Sequence, residues 1–172
     1  LPKLPNSLIN LWCSSNNLSS LPELPNSLTN IYCRHNNLSI LPDLSTSLKG
    51  LWCQYNNISS LPELSNSLQT LHCDHNSLSC LPELPNSLKI LKCYNNNLYN
   101  LPELPSSLIG MHYDNNPIYN CIKKNFNGEI ENYFKYINAV NKIGNWYLDC
   151  KYNPKYKYCR TRLMKEYEEL YN

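Results

Sequence analysis

The chain has 172 residues, of which 42% are hydrophobic and 16% charged, so it suits one domain or one short array with a buried core. A net charge of only +2 argues against a chain-wide nucleic-acid or membrane-surface footprint. No run of eighteen apolar residues and no signal peptide is visible, so no membrane span is expected.

The chain opens "LPKLP" without a Met and reads as a piece of a longer protein. From there, Leu1, Leu21, Leu41, Leu61, Leu81 and Leu101 recur at a strict period of 20, each followed by Pro. The unit reads LPELPNSLxxLxCxxNNLSS, and six copies cover residues 1–120. Within each lies L-x-x-L-x-C-x-x-N-x-L, carried in the first copy by Leu8, Leu11, Cys13, Asn16 and Leu18. That spacing is the leucine-rich-repeat signature. The short LPxLPxxL form resembles the bacterial effector repeats of the YopM and IpaH groups. The Asn-, Tyr-, Ile- and Lys-rich composition, with Cys at the ladder position, is also similar to repeat proteins of amoeba-infecting giant DNA viruses.

Leu11 and Cys13 alternate with Asn10, Trp12 and Ser14, the period of two that marks a strand buried on one face. A lone strand of this kind cannot cover its own apolar side, so successive repeats must stack and share a core. The expected fold is a leucine-rich-repeat solenoid, a horseshoe arc. Its parallel β-sheet lies on the concave side, and its extended, polyproline-like convex side carries a single helical turn at "NSL". Six strands give a sheet about 25 Å wide. Ser45 and Ser65 replace the second Pro in repeats 3 and 4, so that Pro is helpful rather than required. The column Asn16, Asn36, Asn56, Asn76, Asn96 and Asn116 stands where the strand turns outward and backbone groups need partners. By the family resemblance it is an asparagine ladder with a structural role.

Nine cysteines would suit a disulfide framework, but the period gives five of them another place. Cys13, Cys33, Cys53, Cys73 and Cys93 form one inward column ended by Tyr113, where free Cys acts as a small hydrophobe. Reduced core thiols point to a cytosolic protein. Asn17, Asn37 and Asn57 begin N-x-S sequons, which the consensus itself writes. The segment "LHCDHNSLSC" at 71–80 gathers zinc-type ligands, yet the strand alternation sends Cys73 inward and His72 and Asp74 outward. No metal and no cofactor is expected.

Outward positions are free of the core constraint and carry the candidate partner site. One column reads Trp12, Tyr32, Trp52, His72, Lys92, His112, and the next Ser14, Arg34, Gln54, Asp74, Tyr94, Asp114. A third, at the strand ends, reads Ser15, His35, Tyr55, His75, Asn95, Asn115. Three large aromatics in line, flanked by Arg34 and Tyr55, point to a protein or peptide partner, since Trp, Tyr and Arg anchor interfaces. The competing reading is a sheet face that favours aromatics because they pack well across strands. The polar half is a second contact zone or a solvated surface. The repeat array is net −2, which does not track phosphates, so no nucleic acid is expected.

After "NNPIYN" the period stops, and residues 121–172 are net +4 with eight of the 14 tyrosines. Ile130, Phe134, Ile137, Val140 and Tyr147 predict a helix over about 129–149, with Gly128 separating it from an earlier short turn. Asn153-Pro154 opens a second predicted helix over about 154–170 that buries Cys159, Leu163, Tyr167 and Leu170. This helical C-terminal segment caps the array, which would otherwise expose an apolar edge, or else hooks a partner. The IpaH resemblance implies a ubiquitin ligase. However, Asp149-Cys150 does not reproduce the Cys-x-Asp nucleophile motif of that group, so the activity does not carry over. The sequence reads as a non-catalytic interaction scaffold acting on a host protein in a host cytosol. The alternatives are a substrate-recognition subunit of a ubiquitin ligase whose recruiting domain lies before Leu1, or a structural virion protein. The sequence does not set the oligomeric state.

Overall fold

The computed structural model describes residues 1–152, with side chains as far as residue 142. It divides into two units, Leu1–Asn125 and Phe126–Asn172.

The first unit carries six three-residue strands, β1 (Asn10–Trp12), β2 (Asn30–Tyr32), β3 (Gly50–Trp52), β4 (Thr70–His72), β5 (Ile90–Lys92) and β6 (Gly110–His112). They form one parallel sheet in chain order, and every pair is offset by one repeat, as in Leu11↔Ile31 and Trp12↔Tyr32. Pairing runs beyond the formal strands, with Cys13 N donating to Tyr32 O at 2.8 Å and Ser15 N to Arg34 O at 2.8 Å. The centre of each strand faces inward. Ile31, Leu51, Leu71 and Leu91 are fully buried, together with Leu28, Leu48, Leu68, Leu88 and with Leu38, Ile58, Leu78, Leu98. Cys13, Cys33, Cys53, Cys73 and Cys93 lie among them as buried free thiols. Among the described residues the other cysteines, Cys80 and Cys121, are exposed free thiols.

The return segments are irregular apart from one turn each, at the predicted place. Leu8 N donates to Pro5 O at 3.0 Å, and the same bond recurs at Leu28, Leu48, Leu68, Leu88 and Leu108. The two repeats that lack the second Pro show how it can be replaced. Ser45 Oγ donates to Asn26 O at 2.8 Å and accepts from Ser47 N, and Ser65 Oγ donates to Thr46 O at 2.6 Å and accepts from Ser67 N. In repeats that keep Pro, the link to the preceding repeat comes from the next serine instead. Ser27 Oγ donates to Leu8 O at 2.7 Å and Ser87 Oγ to Leu68 O at 2.6 Å.

The Asn column fastens each repeat to the one before it. Asn56 Nδ2 donates to Cys33 O and Cys53 O, both at 3.0 Å, while its Oδ1 accepts from Leu38 N at 3.0 Å. Asn36, Asn76, Asn96 and Asn116 repeat the arrangement. Asn16 has no earlier repeat to bind, and its Nδ2 donates to Cys13 O and Ser14 O.

Where the spacing leads to an earlier short turn before Gly128, the structure places a nine-residue helix, α1 (Pro117–Asn125), beginning inside the last four residues of the sixth repeat. Pro117 suits a first helical position because the missing N–H has no intrahelical partner there. Ile118 and Ile122, one turn apart, are both buried. Ile118 also takes the column of Leu98, and its N–H donates to Leu98 O at 2.9 Å. Lys123 and Lys124 in the last turn complement the helix dipole.

In the second unit, α2 (Ile130–Tyr152) begins and ends within three residues of the helix read from the spacing. Asn127 and Gly128 precede it with φ of 53° and 81°, a left-handed pair that glycine accommodates freely. Phe126 makes ring contacts with Tyr133 at 5.8 Å and Tyr136 at 5.6 Å. The second predicted helix, over 154–170, lies outside the described residues. No helix among the described residues is long and apolar enough to cross a membrane.

Candidate partner-binding face

The three outward columns differ in what the structure does with them. Parallel in-register strands place like positions about 4.8 Å apart, close to the stacking distance of aromatic rings. Trp12 and Tyr32 therefore stack with centroids 3.9 Å apart and planes 8° apart, and Tyr32 and Trp52 stack at 4.4 Å and 10°. His72 ends this row edge-on to Trp52 at 6.0 Å. Lys92 is half-buried and His112 exposed beyond it.

A second row has formed in the strand-end column. His35 stacks on Tyr55 at 4.3 Å, Tyr55 on His75 at 4.0 Å, and His75 meets Tyr94 edge-on at 5.3 Å. Asn95 Nδ2 lies 3.0 Å from His75 Nε2. All six members of this column, from Ser15 to Asn115, have φ between 51° and 56°. This left-handed residue turns the chain out of the strand and brings the following Asn to its bonding position. Asn and His tolerate the region better than most residues, so the Asn, His and Ser content of this column was its signal in the sequence. Tyr55 is the member that its backbone does not favour.

Between the rows runs the column Ser14, Arg34, Gln54, Asp74, Tyr94, Asp114. Arg34 is exposed, and Ser14, Gln54, Tyr94 and Asp114 are half-buried. Asp74 is outward in register yet only 2% exposed. Burial first, then the neighbouring Asp74 carboxylate, pushes the Tyr94 phenol up from its ordinary value. Burial leaves Asp74 little surface to offer a partner. Burial holds the His72 imidazole down, Lys92 adds to that effect, and Asp74 opposes it. A cleft of about 240 Å³ is lined by Lys92, Tyr94, His112 and Asp114. Larger grooves, of about 510 and 800 Å³, separate successive return segments. They are lined by the same Glu, Leu, Asn and Pro positions each time, so they follow from the repeat and distinguish nothing.

Sequence reasoning missed Gly50, at the start of β3. A Cβ there would collide with the Trp52 ring and press on Asn30 Oδ1, so the missing side chain is what lets Trp52 lie back into its stack. A glycine inside a strand is the available signal for such a close approach. Among the described residues, no group of three or more His, Cys, Asp or Glu side chains is placed to hold a metal ion. Cys73 of "LHCDHNSLSC" is buried in the core column, while His72, Asp74 and His75 stand in the outward columns.

The parallel strands, the inward Leu and Cys columns and the one-turn return segments decide the architecture. The chain is a leucine-rich-repeat protein. Its repeats are similar to those of bacterial effectors. YopM from Yersinia enterocolitica superposes with a TM-score of 0.67 at 39% identity, over 67% of this chain and 26% of YopM. A Shigella effector leucine-rich-repeat domain gives 0.63 at 38% identity, over 64% of this chain and 51% of that domain. YopM from Yersinia pestis gives 0.60 at 43% identity, over 62% of this chain and 31% of that protein. This leucine-rich-repeat chain therefore spans between a quarter and about half of the proteins it resembles. No family model and no curated protein matches it. The similarity to giant-virus repeats rests on composition alone.

Proposed function

We propose that the chain is a non-catalytic protein-interaction scaffold that binds a host protein or peptide on its strand face. The observation that carries this reading is the row Trp12–Tyr32–Trp52, continuous over three repeats on a side of the sheet that the core does not need. Trp12 is 72% exposed. Interfaces are dominated by a few Trp, Tyr and Arg anchors, and Arg34 stands exposed beside the row. A rigid, pre-stacked row loses little side-chain entropy on binding, which favours affinity. The contact set is Trp12, Tyr32, Arg34, Trp52, Gln54 and Tyr55, continued by His72, Lys92, Tyr94, His112 and Asp114. The similarity to effector repeats supports a host protein as the partner.

The test is the triple variant Trp12→Ala, Tyr32→Ala, Trp52→Ala in affinity capture from host lysate. The variant should keep a cooperative unfolding transition and lose at least tenfold in recovery of the specific partner. Undiminished capture by the folded variant would remove the row from the binding site.

A further inference from the structure

All four histidines of the chain, His35, His72, His75 and His112, stand in the outward columns of the strand face. None is in the core columns, the return segments or the C-terminal unit. The same columns hold two permanent cations, Arg34 and Lys92, and two carboxylates, Asp74 and Asp114. With neutral imidazoles the face therefore carries no net charge, and with all four protonated it carries +4. Imidazole is the side chain whose charge changes between pH 5 and 8. The carboxylates Glu23, Asp43, Glu63, Glu83 and Glu103 occupy one exposed file at the third repeat position, away from this face. Acidification thus turns one side of the array cationic while the other stays anionic.

The four imidazoles stand in different surroundings. His35 and His75 lie on the two faces of Tyr55, and an aromatic face attracts a cation, so protonation does not disperse that stack. Arg34 precedes His35 in the chain and Asp74 precedes His75. Tyr94 touches His75 edge-on, and the Asn95 amide can turn its oxygen toward a protonated Nε2. His72 packs against Trp52 and feels Lys92 and His112 against Asp74, so it is the one that resists charging. His112 shares the cleft with Lys92, Tyr94 and Asp114.

The aromatic rows select for the same kind of ligand. The inner ring faces of both rows are consumed by stacking, so besides the end faces of Trp12 and His35 what the rows chiefly offer outward is ring edges. Edges carry the positive end of the aromatic quadrupole and suit carboxylates and carbonyl oxygens. We propose that the strand face is an acid-activated docking surface for an acidic, extended polypeptide segment, with affinity switched on by protonation of His35, His75 and His112. This rests on the reading of the strand face as the partner surface. Ring edges suit the carbonyl oxygens of a peptide backbone as well as its carboxylates, which favours a polypeptide over a nucleic acid.

The test is a titration of the full chain into a fluorescein-labelled ten-residue poly-aspartate peptide at pH 7.5 and 5.5, at fixed ionic strength. Aspartate stays ionised at both pH values. Binding should be at least tenfold tighter at pH 5.5, and a deca-lysine peptide should show no such gain. The variant H35Q/H72Q/H75Q/H112Q should lose the pH dependence, and the milder pair H35Q/H75Q should lose part of it, with thermal unfolding confirming that both fold. An equal gain in the four-histidine variant would overturn the proposal, as would no gain in the native chain, or equal affinity for a ten-nucleotide oligothymidylate at pH 5.5. Lysate capture that depends on Trp12, Tyr32 and Trp52 but not on pH would sink the acid switch and leave the scaffold reading standing. A histidine-dependent gain that survives the triple aromatic variant would support the switch and remove the aromatic row from the contact surface.

Discussion

At the inward positions of the strands the same side chain returns every twenty residues: Leu or Ile at 11, 31, 51, 71 and 91, and Cys at 13, 33, 53, 73 and 93. At the outward positions Trp12, Tyr32 and Trp52 give way to His72, Lys92 and His112 on the same backbone in the same register. The inward side has one packing problem and solves it in nearly the same way through the first five repeats. The outward side has no shared problem, and its residues are free to differ. Its first half is nonetheless ordered by stacking, and its second half is a polar cleft.

Base should strain the inward side most. Burial pushes the column thiols up from an ordinary value of 9.0, to about 12 at Cys53 and about 12 at Cys93. Cys13, Cys33 and Cys73 shift in the same direction for the same main reason. Above pH 9 the unfolded chain gives up thiol protons that the folded chain still holds. The stability they contribute is complete below pH 9 and falls as pH rises toward 12. Cys53 and Cys93 each remove up to about 1.4 kcal/mol per pH unit over that window. Several acting together should bring base-induced unfolding near pH 10 in a circular-dichroism titration. Replacing Cys53 and Cys73 with Ala should make that slope shallower. An unchanged slope would mean that the column does not set the alkaline limit.

Asn56→Ala breaks the inward side at one rung. It orphans the buried backbone of Cys33, Cys53 and Leu38, and should cost about 3 kcal/mol in urea unfolding. Asn16→Ala should cost well under half as much, because that side chain is exposed and bonds only its own repeat. Equal costs would show that the links between repeats add nothing.

Gly50→Ala sharpens the outward side. The new methyl must displace the Trp52 ring, at about 1–2 kcal/mol by overpacking. The stack signal in near-ultraviolet circular dichroism should fall while the far-ultraviolet spectrum holds. Gly110→Ala is the control, since a Cβ there meets nothing within 4 Å.

The fold was legible because its cause is periodic. A column of Leu, Cys and Asn at fixed spacing states the strand, the core and the turn that follows it. What escaped reading were features without a period. Asp74 stands in an outward column and is nonetheless buried beside Tyr94. The helix α1 starts inside the last repeat because Pro117 appears where the earlier copies carry Asn or Ser. The His35–Tyr55–His75 row needs a left-handed backbone as well as ring identity, and only the combination makes it. The candidate contacts could be named as columns, but the pairing of rings into rows depends on inter-strand spacing, which a list of residues does not display.

The hydrogen bonds of the Asn column join residues 18 and 23 positions apart, and the strand partners are 20 apart. Almost no contact that holds the array together is therefore distant along the chain. Closing a loop of that length is entropically cheap, and each closure prepares the next. Folding can begin at any pair of adjacent repeats and spread in both directions like a zip. A damaged rung then interrupts the spread locally, and the speed of folding depends on the best neighbouring pair rather than on the length of the array.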